Sequence, residues 1–379
     1  MKKVIYLLIV IVSVLNAEWH FVGFAPWSGR YDHTVSFFRD SLWLIGGTDT
    51  SGVCGDIWVS GNGREWYLVT DAAPFGRVSG HTVTVYNENL WLIGGRSEDT
   101  NISSAIWRSR DGRSWVKVTD SAPFGPRWLH VAITFHDFLW VIGGRRTFMG
   151  TPPLNEIWRF DGRSWTLVQE HAVWKGRQDH TVTPFKDTLW LIGGVGAYGD
   201  SFSMYCSGDG VSWFGAVREW LTFSHISFTY HQKLWIVGGP YPEVLVTEDG
   251  RHWRISHISP FTGSGRKDLA GIVVRDTLWV FGGASGYYDT LYNDIWYMVE
   301  PLGIEEKDDK FIIPQSVTPT PTIIRNISHL RVIEPIILLD PTGRKVVDLK
   351  SATNKNLKPG IYFLIPNTRS ELRKIVLIK

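Results

Sequence analysis

An all-β chain is predicted, organised as a six-bladed β-propeller that its own N-terminal segment closes, with a small β module behind it. Three observations predict this. The phrase Leu-Trp-x-x-Gly-Gly recurs six times, with its Trp at 43, 91, 140, 190, 235 and 279, a period in the range of propeller blades. Most copies are followed by a second aromatic, an Asx-Gly pair and another Trp, so the repeat divides into four short strands. The sixth copy lacks its last strand, and a match to the missing piece stands near the chain's beginning.

Residues 1–17 read as a secretory leader. Lys2 and Lys3 form the charged end, residues 4–14 an apolar run short for a bilayer span, and Ala17 a cleavage position. A retained membrane anchor is the alternative. Glu18-Trp19-His20-Phe21-Val22, then Ala25-Pro26-Trp27, matches Glu65-Trp66-Tyr67-Leu68-Val69, then Ala73-Pro74-Phe75. This segment is expected to supply the fourth strand of blade six, which removes an exposed edge.

Strand a of each blade opens with a His ten residues before the Trp: His33, His81, His130, His180 and His225, with Leu269 in the sixth copy. Three residues earlier stand Arg30, Arg127, Arg177 and Arg266; Arg77 lies four before its His, and the fifth copy has Thr222. Turns such as Arg39-Asp40-Ser41 lead into strand b, the Leu-Trp phrase. Strand c carries Trp58, Trp107, Trp158, Tyr205 or Trp296. The Asx-Gly pairs at 62–63, 111–112, 161–162, 209–210 and 249–250 predict tight hairpin turns with both central residues at positive φ. Strand d then begins at Trp66, Trp115, Trp165, Trp213 or Trp253.

Over residues 18–300 this pattern resembles the kelch-repeat propellers, including the galactose oxidase-like central domain. The resemblance rests on the six Gly-Gly pairs, the hydrophobic strand before each, and the aromatics of strands c and d. It implies the fold and leaves function open, since such propellers serve as enzymes, adaptors and scaffolds.

Residues 301–322 read as a linker: a charge run over 305–310, then Pro319-Thr320-Pro321-Thr322, which is stiff and extended. Residues 323–379 form a small β-sandwich-like module. It resembles the C-terminal sorting domain of the type IX secretion system in Thr342-Gly343-Arg344-Lys345-Val346, Lys358-Pro359-Gly360-Ile361-Tyr362-Phe363 and Lys374-Ile375-Val376, with Ile304-Glu305-Glu306 as lead-in. The Asn-Pro signature of that family is replaced here by Thr-Pro-Thr-Pro-Thr. The resemblance implies a bacterial protein that meets secretion machinery through this module and is secreted or held at the outer membrane and cell surface.

A net charge of +2 gives no field that favours nucleic acid. Beyond the leader no transmembrane segment is expected. Cys54 and Cys206 fall in opposite blades, too far apart for a disulfide. The five His are spread around the ring, so hydrogen bonds to a neighbouring blade's backbone, not a metal site, are expected of them. The pair Tyr230-His231 sits in an a–b turn and does not make a copper site. No nucleophile elbow, phosphate loop or zinc motif is present, and no cofactor is expected.

Strand order puts the b–c loops and the d–a connections on one rim. The b–c loops vary while the scaffold repeats, so that rim is where function is expected. The candidate contacts are Arg30, Tyr31, Arg77, Arg127, Trp128, Arg177, Tyr198, Tyr241, Arg266 and Tyr287. Trp128 is the one Trp outside the repeat pattern, placed either to stack on a sugar or peptide aromatic or to fill the gap between blades three and four. The Arg set makes either a cationic mouth for carboxylates or ion pairs between blades with Asp32, Asp179 and Asp268. Three functions follow: a surface binding module for glycan or protein ligands; a carbohydrate-active enzyme of mutarotase or lyase type using Arg and an acid at the channel mouth, as sialic acid mutarotase-like kelch propellers suggest; or a passive scaffold.

Overall fold

A computed structural model describes residues 18–299, apart from 99–100, 149–150, 197–202, 218–221, 259–260 and 262–264, together with five C-terminal strands. The leader, most of the linker and Tyr198 lie outside the described residues. The described residues contain no helix.

Six four-stranded antiparallel sheets are present. In blade one, strands a to d are Thr34–Phe38, Ser41–Ile45, Ile57–Ser60 and Tyr67–Thr70. Blades two to five repeat this order from Thr82–Tyr86, Val131–Phe135, Thr181–Phe185 and His225–Tyr230. Blade six takes Ala270–Val274, Thr277–Ala284 and Leu291–Val299, and its fourth strand is Glu18–Phe24, paired antiparallel with Glu18 opposite Val299 and Phe21 opposite Trp296. The N-terminal segment therefore closes the ring, as the sequence match requires. In every blade the c–d ladder bulges beside the strand-c aromatic, or its counterpart Leu245 in blade five. Such bulges bend the outer strand and increase its twist.

The core lies between blades. Six apolar clusters each join one face of a blade to the facing side of the next. Strand b shows why: side chains alternate across it, so Trp43 and Ile45 enter the blade one–two core while Leu42 and Leu44 enter the six–one core. Both faces are buried, hence the continuous apolar run.

Two rings of backbone hydrogen bonds join all six blades. The second glycine of each pair donates to the next blade's residue three before the His position: Gly47 to Val78, Gly95 to Arg127, Gly144 to Arg177, Gly194 to Thr222, Gly239 to Arg266 and Gly283 to Arg30, at 2.7–2.9 Å. The residues just before the His position close the other ring. Gly80 N–H donates to Asp32 C=O at 3.0 Å, Leu129 to Gly80 at 2.8 Å, and so around to Asp32 donating to Asp268 at 3.1 Å. All six have positive φ, between 50° and 60°.

The turns differ from expectation. Asn62, Asp111, Asp161, Asp209 and Asp249 are not at positive φ; only their glycines are. The ladder resumes at Ser109 opposite Trp115, which leaves a five-residue loop, too long for a two-residue turn. The Asx side chain caps that loop: Asn62 Oδ1 accepts from the amides of Arg64 and Glu65, both at 2.9 Å. The tight turns lie between strands a and b, where Arg39-Asp40, Asn87-Glu88, Lys186-Asp187, His231-Gln232 and Arg275-Asp276 have positive φ at both residues.

The chain divides into two compact units, residues 1–307 and 308–379. In the second, Pro321–Ile324, Ile336–Leu339, Lys345–Asp348, Gly360–Pro366 and Arg373–Leu377 pair in one five-stranded sheet. The residues between these strands, and with them the expected sandwich, lie outside the described residues.

Candidate functional site

Four of the five arginines are structural. Arg30, Arg127, Arg177 and Arg266 are buried, with at most 5% of their surface exposed. Each donates to the carbonyl of the first glycine in its own blade's pair: Gly46 at 2.9 Å, Gly143 at 3.2 Å, Gly193 at 2.7 Å and Gly282 at 2.9 Å. Their acids come from the entry to strand c of the same blade. Arg30 forks onto Asp56 at 2.7 and 2.8 Å, Arg266 onto Asp294 at 2.6 and 3.0 Å, and Arg127 meets Glu156 at 3.0 Å. The strand-c Trp two residues on donates to the same carboxylate. Ion pairs between blades with Asp32, Asp179 and Asp268 are thus replaced by pairs within blades. Arg177 has Ser203 at that place and stays charged, burial lowering its pKa to about 10. Arg77 stands one residue out of register: Val78 takes the buried place, and Arg77 is exposed and paired with Glu98.

The imidazoles are structural as well: three meet a side chain of the preceding blade, and two meet its backbone, as expected. His81, His130 and His225 Nε2 meet the hydroxyls of Thr34, Thr82 and Thr181 on the preceding blade at 3.2, 3.1 and 2.9 Å. His180 and His33 follow blades that offer Val131 and Ala270 there, and meet the backbone of Ile142 and Phe281 on those blades instead. Burial holds all five neutral, with pKa values of about 3 for His33, His81, His180 and His225 and well below the usual value for His130.

The described cavity with lining is the axial channel. Its lumen of about 190 Å³ is lined by the positive-φ ring, the five His and Leu269. That is below the ~300–1,000 Å³ of a small-molecule site, so a ligand larger than a few waters meets the mouth and not the bore. Three carboxylates face this lumen: Asp32, Asp179 and Asp268. They lie deep among protein atoms yet keep partial solvent contact. Burial, then the charges of Asp268 and Asp179, pushes Asp32 well above the usual carboxylate range. Burial and Asp268 bring Asp179 to about 7, and burial raises Asp268.

Around them stands a second circle, formed because the residue two before each His position bridges the residue after Gly-Gly: Tyr31 with Thr48, Ser79 with Arg96, Trp128 with Arg145, Gln178 with Val195 and Lys267 with Ala284. Arg96, Arg145 and Lys267 are the cations that oppose the acids' raised pKa values. Arg96 donates to Thr48 Oγ1 at 3.2 Å and lies over the rings of Trp128 and Phe148, 5.4 and 5.6 Å from their centres. Trp128 is only 9% exposed, covered by Phe148 at 4.7 Å, and it lies against Gly80 and Arg96 of blade two. Tyr31 meets the Tyr288 ring edge-on at 5.0 Å.

The structure thus brings Tyr31 and Trp128 to the mouth, sinks four arginines into blades and leaves Arg77 at the surface. Tyr241 and Tyr287 are exposed on the blade-five and blade-six loops, Tyr287 at 86%. Sequence reasoning missed Arg96, Arg145, Lys267 and Tyr288. The first two were findable, since the repeat places them directly after Gly-Gly. Asp32, Asp179 and Asp268 were seen but given to the wrong partners.

The family described as the KLHDC2/KLHL20/DRC7 Kelch-repeats domain matches residues 10–194. Among solved structures, the one titled "Structure of YjhT" is similar with a TM-score of 0.60 and 15% identity, covering 72% of this chain and 95% of that one. Comparison with curated proteins gives no match. The family model is thus one of Kelch repeats over residues 10–194, and the six four-stranded sheets are what the geometry shows.

Proposed function

We propose that this chain is an exported propeller that binds a glycan at the axial mouth of its b–c rim. One observation carries the reading: three lumen-facing carboxylates that have no ion pair among the described residues stand beside three cations and the rings of Tyr31, Trp128 and Tyr288. Carboxylates and guanidinium groups hydrogen-bond hydroxyls in fixed directions, and aromatic edges and faces pack against the apolar side of a sugar ring. Export rests on the charged and apolar leader and on the resemblance of the C-terminal module to a sorting domain. Binding by the rim loops to a protein is the competing outcome. A second reading has its own support: a carboxyl at about 7, as for Asp179, gives and takes protons at neutral pH, which sugar ring opening requires.

A glycan array compares the wild type with Arg96→Ala and Asp179→Asn. Binding by the wild type with at least tenfold loss in both variants is expected. An array that stays blank for folded wild type overturns the reading. Anomer exchange followed by NMR on any bound sugar separates a binder from a mutarotase-type enzyme.

A further inference from the structure

Tyr288 is the strained residue of the mouth. It sits in the b–c loop of blade six with φ of 60°, a conformation that an aromatic side chain rarely adopts. A β-turn brings it there: its amide donates to Ser285 C=O at 2.9 Å, Ser285 N–H donates to Thr290 C=O at 2.9 Å, and Thr290 N–H donates to Ser285 Oγ at 3.1 Å. The third position of such a loop suits glycine or asparagine. Tyr288 holds it because its side chain is tied down. Its hydroxyl donates to the Asp268 carboxylate in the lumen, its ring meets Tyr31 of blade one, and Lys267 lies over the ring at 5.8 Å while donating to Gly286 C=O at 2.8 Å. Among the described contacts the loop is held at the mouth by the Tyr288 side chain and by Lys267, which grip the inner ring and its neighbours.

We infer that residues 285–290 form a latch across the channel mouth, held shut by the Tyr288 hydroxyl at Asp268 and released when a ligand hydroxyl takes the phenol's place there. This rests on the mouth being the binding site. The exchange is balanced: one O–H donor to the Asp268 carboxylate replaces another, and the freed phenol is hydrated. Released, the loop relaxes from the strained φ, which lowers the cost of opening.

Hydrogen–deuterium exchange on the free full-length protein tests the latch without any ligand. Tyr288→Phe keeps the ring and removes the donor; Asp268→Asn keeps an acceptor. Exchange over residues 285–290 is expected to quicken about tenfold or more in Tyr288→Phe and to stay within about twofold of wild type in Asp268→Asn. Equal protection in Tyr288→Phe and wild type overturns the latch while leaving the binding reading standing. A blank glycan array sinks the binding reading, and the latch is then still decided by the exchange data. With any glycan that binds, faster association to Tyr288→Phe is expected, and an unchanged rate overturns the gating role.

Discussion

Arg30 and Asp56 show how one pair of positions decides whether a blade carries charge inside. Arg30, Arg127 and Arg266 face Asp56, Glu156 and Asp294, whereas blade two has Val78 and Ala105 at the same two places. The buried pair and the apolar pair are alternative solutions to one packing problem. A lone buried carboxylate is worse than either, because its desolvation is no longer repaid. Arg30→Val is therefore expected to cost about 3–5 kcal/mol, while Arg30→Val with Asp56→Ala, which copies blade two, recovers most of it. Urea unfolding of the four members of this double-mutant cycle measures the coupling; additive losses would mean that Arg30 and Asp56 do not act together. The pairing was legible in part. The spacing acid-x-Trp recurs at Asp56-x-Trp58, Glu156-x-Trp158 and Asp294-x-Trp296, yet nearness along the chain pointed to Asp32, Asp179 and Asp268 instead. Sequence distance misleads here because the chain turns between the two sets: the left-handed backbone at Asp32, Asp179 and Asp268 puts these acids on the channel, while the arginines enter the blades.

At the scale of the element, the c–d loop is where blades lock. A Cβ on Gly112 would stand 2.5 Å from the ring of Trp43 on the preceding blade; on Gly210 it would meet Trp140 and on Gly250 Trp190 in the same way. The strand-d Trp holds that loop from below, Trp115 Nε1 donating to Gly112 C=O at 3.1 Å. Gly162 shares the positive φ, but its nearest neighbour is the Asn87 side chain at 3.3 Å. Gly162→Ala is expected to cost about 1 kcal/mol, the left-handed backbone alone, and Gly112→Ala about 2–5 kcal/mol, since overpacking adds to it. Thermal unfolding of the two variants orders them, and equal losses would show that the Trp43 contact is not tight. The Asx-Gly signal marked the position correctly and the turn type wrongly. A dipeptide reports its own φ preferences, while the loop length is set by the bulge and register of strands c and d, which only pairing across the blade fixes.

For the whole molecule, closure was legible because the first strand repeats the Trp66 segment and the sixth copy lacks one. The mouth was less so: the fold of the blade-six loop, which turns Tyr288 inward and leaves Tyr287 out, follows from side-chain hydrogen bonds with Lys267 and Asp268, which no repeat pattern marks. The closed ring also sets the acid response. Five buried His have folded pKa values depressed below the ordinary ~6.5, near 3 for four of them, so the unfolded chain takes up protons that the folded ring refuses. Their contribution is intact above about pH 6.5 and is lost as pH falls, at about 1.4 kcal/mol per pH unit for each His. Asp32, Asp179 and Asp268 act with the opposite sign. Their folded pKa values are raised, so their contribution is fully present below the ordinary value near 3.9 and is lost as pH rises through the folded value, about 7 for Asp179. Between about pH 6.5 and 4 the five His outnumber the three acids that oppose them, so stability should fall on acidification. Replacing Asp32 and Asp179 with Asn removes most of the offset. That variant should unfold at a higher temperature than wild type at pH 8 and lose stability more steeply below pH 6.5. Melting temperatures across pH 4–8 for both proteins decide it; parallel curves would mean that the channel acids titrate as they do in the unfolded chain.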